Sequence, residues 1–441
     1  MAKSEVFYMD DRSESTATSL VAKELHIFEQ AKLNECIDKG DYVAIKVHMG
    51  EWNNTAYLRP VYVRAIADKV KELGGRPFVV DTTTLPYAPY VFRTNAWDEY
   101  MTIERNGFNS GTVGCPVIIG DGFLGTDDVR VDLPEGYILK EQYIATAIAC
   151  ADAMIVLTHF KGHPMGVFGG SIKNIGVGCA SKRGKYNLHL GVHPVLGLQA
   201  LNYFPQYCDG RKCEKWETCI SCCPEGALSV PEDGPIQFNR ELCKGCLAHL
   251  FMTLDCGVFA TLEVLDTLEA SSVAIADSAL ACMKTFEPGK VGFINFAIDS
   301  TPWCDCIPYS DRPIIPNMGI FAGKDPVAID RACLDMAIKS VGMPGSAAEQ
   351  KFVAAPGLPK FSAAGSFMGI SEDIQCNVGQ EIGLGSKDYV LKTVEPMESA
   401  LSTFLYQQTA GSTLRKFYKK IHPVPKEGFK RVEHPDLQKV R

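Results

Sequence analysis

The sequence predicts an α/β fold, a mostly parallel sheet with helices on both faces, interrupted by a small iron–sulfur insertion of the bacterial-ferredoxin kind. Three observations point there. Short β-branched runs alternate with helical periodicity through the first part of the chain. Eight of the seventeen cysteines then crowd between Cys208 and Cys256. Beyond that segment the strand pattern resumes, so the cysteines interrupt one domain. The boundaries read as 1–204 for the first α/β part, 205–262 for the insertion, 263–395 for the second α/β part and 396–441 for a C-terminal helix and basic tail.

In chain order, Ala17 to Cys36 reads as an amphipathic helix and "YVAIKVHMG" (Tyr42 to Gly50) as a buried strand. Pro60 to Leu73 has helical periodicity, with proline in its first turn and Gly74-Gly75 as its stop. "PFVVDTT" is the next strand, Glu141 to Cys150 another helix and "AMIVLTHF" (Ala153 to Phe160) a further strand. After the cysteines, "VAIAD" and "VGFINFAID" read as strands and Asp325 to Lys339 as a helix. In "Lys324-Asp325-Pro326-Val327" the aspartate reads as a structural N-cap before a proline at the first helical position.

A chain of 441 residues has room for two or three domains with a full core. The formal net charge of −8 argues against a nucleic-acid or anionic-membrane binder. No apolar run reaches the length that spans a bilayer. The first twenty residues show no basic-then-apolar signal pattern. The expectation is therefore a cytoplasmic protein with reduced thiols that bind metal or carry redox chemistry.

Bacterial ferredoxins run C-x2-C-x2-C-x3-C-P twice, the fourth cysteine of each run ligating the other cluster. Two degenerate copies fit. The first places Cys213, Trp216, Cys219 and Cys223-Pro224 on that spacing, with Trp216 where a cysteine belongs. The second has Cys243, Cys246 and His249, with Cys256 arriving late and without its proline. Cys208 and Cys222 lie in the same segment as spare ligands. A zinc site would also accept such a Cys/His mixture, disulfides would require export, and inert thiols do not cluster this densely. With a ligand missing from each run, the reading is two [4Fe-4S] clusters, or one with the other run a relic.

The second unusual stretch, His159 to His193, leaves a strand end and enters a glycine-dense loop. Ligands in open α/β sheets sit beyond the carboxyl ends of strands. Glycines let backbone N–H groups approach an anion, and Lys161, Lys173, Lys182, Arg183 and Lys185 add charge. Gly169, Gly170, Ser171, Lys173 and Asn174 are the candidate cofactor-binding residues; a tight structural crossover is the plain alternative. Lys173, His159 and His163 are the candidate catalytic groups, and His189 and His193 lie in the same stretch. His48 and Glu51, beyond an earlier strand, would join them if the strands are neighbours, making a His/carboxylate metal site. A lone histidine is more often a hydrogen-bonded structural residue, and Cys179 reads as a buried thiol.

The third stretch carries Cys304-x-Cys306, too tight for two irons of one ferredoxin loop. Prolines at 302, 308, 313 and 316 stiffen it, so either cysteine is a candidate for the missing cluster ligand. From Gly411 onward nine Lys/Arg face three Asp/Glu. That tail reads as solvated, as an arm on a second subunit of a homodimer, or as a docking surface for an acidic redox partner.

Together, "GGSIKNIGVGC" (Gly169 to Cys179), the ferredoxin-like insertion, "CDC" (Cys304 to Cys306) and "GIFAGKDPVAID" (Gly319 to Asp330) resemble the iron–sulfur centre proteins known as domain of unknown function 362. The resemblance implies cluster binding without a settled reaction. The leading expectation is a redox protein passing electrons from its clusters to a small-molecule substrate or cofactor at the Gly/Lys/His loop. The alternatives are a non-redox lyase or sulfur-transfer enzyme with an open-iron cluster as Lewis acid, and a simple electron carrier serving a partner protein. No residue identifies a flavin.

Overall fold

The computed structural model describes residues 3–85, 91–189, 201–245, 256–261, 264–365, 369–397, 425–431 and 438. His193, Cys246, His249 and most of the basic tail lie outside the described residues. One eight-stranded sheet organises the chain. Its strands are β1 (Ser4–Met9), β2 (Tyr42–Val47), β3 (Arg76–Asp81), β4 (Val117–Ile119), β5 (Ala153–His159), β6 (Val291–Ala297), β7 (Gly319–Gly323) and β8 (Tyr389–Thr393). They lie in the order β8-β1-β7-β6-β5-β2-β3-β4. β7 runs antiparallel to both its neighbours and every other pairing is parallel. The expected α/β class holds.

β5 shows why the sheet is central. All seven of its residues are buried, because alternate side chains enter two different cores. Met154 and Val156 pack in one, with Phe293 and Phe321. Ile155 and Leu157 pack in the other, with Ile45 and Phe296. A strand covered on both faces must be apolar throughout, unlike a half-exposed one. On the second face lie α1 (Leu20–Gln30) and α2 (Pro60–Glu72). On the first lie α3 (Ser171–Gly176), α4 (Val264–Met283) and α5 (Pro326–Lys339). Asp325 is the expected N-cap of α5, accepting from the Val327 and Ala328 N–H groups at 2.9 and 3.0 Å.

Two elements differ from the sequence reading. Glu141–Ala145 is a strand paired antiparallel with Asp128–Asp132, and only Thr146–Ala149 is helical. Its Gln142 and Ile144 are buried while Glu141 and Tyr143 are partly exposed, a period of two hidden by helix-favouring residue types. "VAIAD" is no strand; it is the middle of the twenty-residue α4. α4 lies close against α3, where a Cβ added at Gly176 would come within 2.4 Å of the Ile275 carbonyl oxygen. The buried alanines and serines of α4 suit that approach.

Leu201–Tyr203 pairs antiparallel with Phe259–Thr261, joining the two ends of the cysteine segment. The unit has small apolar clusters of its own, built on Leu228, Val230, Ile236, Val258 and Phe259. Among the described residues, no helix is long and apolar enough to cross a membrane.

Candidate functional site

The chain order of the sheet fixes where a site can form. From β2 the strands proceed outward through β3 to β4, and the chain then returns to the other side of β2 as β5 and β6. The strand order reverses between β2 and β5, and ligands of open α/β sheets bind beyond the carboxyl ends at such a point. A cavity of about 80 Å³ lies there, room for several waters or a small anion. His48 follows β2, Asp81 ends β3 and Thr82 follows it, Thr158 and His159 end β5, and all of them line it. Lys161, His163 and Lys173 also face it, as does Cys306.

The floor is a buried charge network. The Lys46 ammonium, fully buried, lies 3.0 Å from Asp81 Oδ1 and donates to Asn174 Oδ1 at 3.0 Å. Arg93 donates to Glu51 at 3.1 Å, with Asp81 Oδ2 at 3.8 Å and His48 Nε2 at 3.5 Å. Burial would raise Asp81, but Lys46 and Arg93 outweigh it and hold the carboxylate below its usual range. His48 thus joins His159 and His163 in the cavity lining, while the Arg93 guanidinium stands between it and Glu51. Burial and then the cations Arg93, Lys173, Lys161 and Lys46 keep His48 well below an ordinary imidazole.

Opposite, Asp305 receives both His159 Nδ1 at 2.9 Å and Lys161 Nζ at 2.9 Å. Burial pushes this carboxyl up, yet His159 and Lys161 prevail and hold it well below its usual range. The other ring nitrogen of His159 sits 2.9 Å from the Ile298 carbonyl oxygen. Both of its nitrogens therefore face acceptors, and the ring ties the end of β5 to the 298–305 loop. His159 is thereby held between the carboxylate and the carbonyl at the cavity wall. His163 accepts the Gly166 N–H on Nδ1 at 2.9 Å and that of Met165 at 3.3 Å. Burial and the nearby Lys173 hold it well below an ordinary imidazole, so the ring is neutral with its proton on Nε2. That histidine belongs to the hairpin Lys161–His163/Val167–Gly169. Val167 there adopts φ 68°, a left-handed conformation costing a β-branched residue about 1–3 kcal/mol.

Lys173 is the expected residue that the structure leaves most available. Among the described residues no carboxylate pairs with it, and its hydrogen-bond partner is Cys304 Sγ at 3.8 Å. Burial, then Lys161 and Lys46, hold it well below the ordinary lysine range. Lys185, also buried, is brought down to about 8 by burial despite Asp121, Asp81 and Glu99.

The glycine-rich loop serves differently from the expected anion cradle. The N–H groups of Ser171 and Ile172, which open α3, are taken by the Asp330 carboxylate at 2.7 and 2.9 Å. A Cβ at Gly170 would meet Asp330 Oδ1 at 2.3 Å, so only glycine fits against that carboxylate. Ser171 Oγ donates to Asn295, and Asn174 Nδ2 donates to the Leu157 carbonyl. Ser171 and Asn174 brace the site, while Gly169, Gly170 and Asn174 still line the cavity. Sequence reasoning missed Lys46, Asp81, Arg93 and Asp305. A lysine inside the apolar run "VAIKV" was the one available signal.

Cys304 and Cys306, expected to complete a cluster, are joined to each other by a disulfide beside His163 and Lys173. Cys306 lines the cavity and Cys304 is buried behind it. In the cysteine segment, burial and then the Cys213, Cys256 and Cys208 sulfurs raise the Cys219 thiol, which puts those four in one neighbourhood. Cys223 packs with Cys208, Cys219 and Cys222 against the Leu228–Phe259 cluster and also against Cys243, Leu201 and Ala227. Cys222 turns its thiol onto the Cys219 carbonyl at 3.0 Å.

The pattern of the family described as Domain of unknown function (DUF362) matches residues 43–335. Over 39 residues the chain is 46% identical to pyruvate synthase subunit PorD of Methanocaldococcus jannaschii; the match spans 9% of this chain and 45% of that subunit. The solved lactate racemase apoprotein of Thermoanaerobacterium thermosaccharolyticum is 12% identical with a TM-score of 0.30, over 63% of this chain and 49% of that one, a likeness too slight to argue from. The match over 43–335 takes in β2 to β7 and the whole cavity, and the chain belongs to the DUF362 family.

Proposed function

We propose that the chain is an iron–sulfur oxidoreductase, holding [4Fe-4S] clusters in its cysteine segment and a small anionic substrate in the cavity at the β2/β5 switch point. The observation that carries this reading is the grouping of the cysteines. Cys256, the last of the second run, lies with Cys208, Cys213 and Cys219. Cys223, the last of the first run, reaches Cys243 while also packing beside Cys208 and Cys219. That exchange of fourth ligands is how two-cluster ferredoxins are built. The sulfurs also behave as acceptors: Cys208 Sγ takes the Ile236 N–H at 3.2 Å and Cys223 Sγ that of Ala227 at 3.2 Å. Clusters bound there supply one-electron transfer.

The remainder follows from the cavity's own side chains. Lys173, which no carboxylate pairs with among the described residues, attracts an anion. The lowered proton affinity of its ammonium suits it to exchange a proton with a bound substrate. Lys161 and Asp305 fix the loop opposite. Lys46 and Asp81 hold the floor rigid. Burial keeps these interactions strong.

Replacing Cys256 and Cys243 singly by serine tests the grouping. Each substitution should remove about half of the iron and sulfide, leaving the other set intact. Iron content unchanged in both variants would overturn the reading.

A further inference from the structure

We infer that Cys304 and Cys306 are a redox-active thiol–disulfide pair that exchanges electrons with small anionic thiols entering the cavity. The inference stands apart from the cluster reading, since it rests on the main-domain cavity alone. The two sulfurs are bonded to each other. Cys306 is partly exposed and lines the cavity, while Cys304 is fully buried behind it. An incoming sulfur therefore reaches Cys306 first. Behind it the leaving sulfur is already provided for: Cys304 Sγ accepts the Cys306 N–H at 3.0 Å and faces Lys173 Nζ at 3.8 Å. Thiol–disulfide exchange quickens when the departing thiolate is stabilised.

A small thiolate attacks Cys306 Sγ, the Cys304–Cys306 bond breaks, and Cys304 leaves with the electron pair beside the Lys173 ammonium. A second thiolate attacks the substrate sulfur of the mixed disulfide, releasing a small-molecule disulfide and the Cys306 thiolate. Two substrate thiols are oxidised, the protein pair is reduced by two electrons, and two protons pass to the protein and solvent. The reverse sequence reduces a small disulfide.

His163 lies within 4.8 Å of both sulfurs, so a metal held by the three is the rival reading. It requires a lone pair on His163. The Gly166 and Met165 N–H groups occupy that of Nδ1, and a neutral ring then carries its proton on Nε2. Ligation would cost both backbone hydrogen bonds.

The test uses the full chain, purified without oxygen and equilibrated with mercaptoacetate or, separately, uncharged 2-mercaptoethanol. Acid quenching, alkylation and mass spectrometry then follow the peptide holding both cysteines. The expected result is conversion of the pair from fully blocked to doubly alkylated. With rates normalised to thiolate concentration, mercaptoacetate should react roughly tenfold faster, through the cationic cavity. Lys173→Met should erase that preference and slow exchange about tenfold by leaving the departing thiolate without its cation. Because the wild-type titration needs no variant, a misfolded Lys173→Met leaves the test intact. A pair that stays blocked at every thiol concentration overturns the inference. So does one alkylated only after a chelator strips a metal from it, and so does equal reactivity towards the two thiols.

Discussion

Lys46 shows how a single residue carries the site. It interrupts the apolar run of β2, is fully buried, and is held between Asp81 and Asn174, each at 3.0 Å. Removing one member of a buried ion pair strands the other, at about 3–5 kcal/mol. Lys46→Met should lower the unfolding free energy by about that amount, read from the urea midpoint at unchanged slope; a loss under about 1 kcal/mol would mean that Arg93 alone satisfies Asp81. The residues of this network were the least legible in the sequence. Lys46, Asp81, Arg93 and Asp305 become a site only once β2, β3 and the 298–305 loop are known to be neighbours, and no local spacing encodes that. Lys173 and His163 could be singled out because they fall in one glycine-dense stretch with other basic residues. What that stretch could not show was that the His159 ring lies between Asp305 and the Ile298 carbonyl.

At the scale of elements, α3 is held from outside itself. Its first two N–H groups and Asn295 Nδ2 all donate to Asp330, on α5. Burial nonetheless raises the Asp330 carboxyl to about 7. Its unfolded value lies near about 4, so between these two the native chain holds a proton that the unfolded chain has lost. The contribution is complete below about pH 4 and disappears as the pH rises through about 7. The melting temperature should therefore fall from pH 5 to pH 8, and Asp330→Asn should flatten that fall; an equal fall in both proteins would refute the assignment. β2, β3 and β5 were legible because buried parallel strands read as nearly continuous apolar runs, broken here by residues such as Lys46, Asp81 and His159. Glu141–Ala145 and α4 were misread because a short apolar run or a helix-favouring composition does not by itself fix the period. Only packing, Gln142 and Ile144 turned inward or Ile275 against Gly176, decides it.

At the scale of the molecule, one sheet with a core on each face builds the cavity. The segment between the paired strands Leu201–Tyr203 and Phe259–Thr261 holds eight of the seventeen cysteines. Cysteine density made that segment visible in the sequence, while the grouping of Cys256 with the first run needed the folded chain. The measurement that bears most directly on the account is the iron, sulfide and zinc content of protein purified without oxygen, with EPR of the reduced form. The account predicts about eight irons with matching sulfide per chain and a paramagnetic signal that appears on reduction. Zinc without sulfide, and no signal, would contradict it.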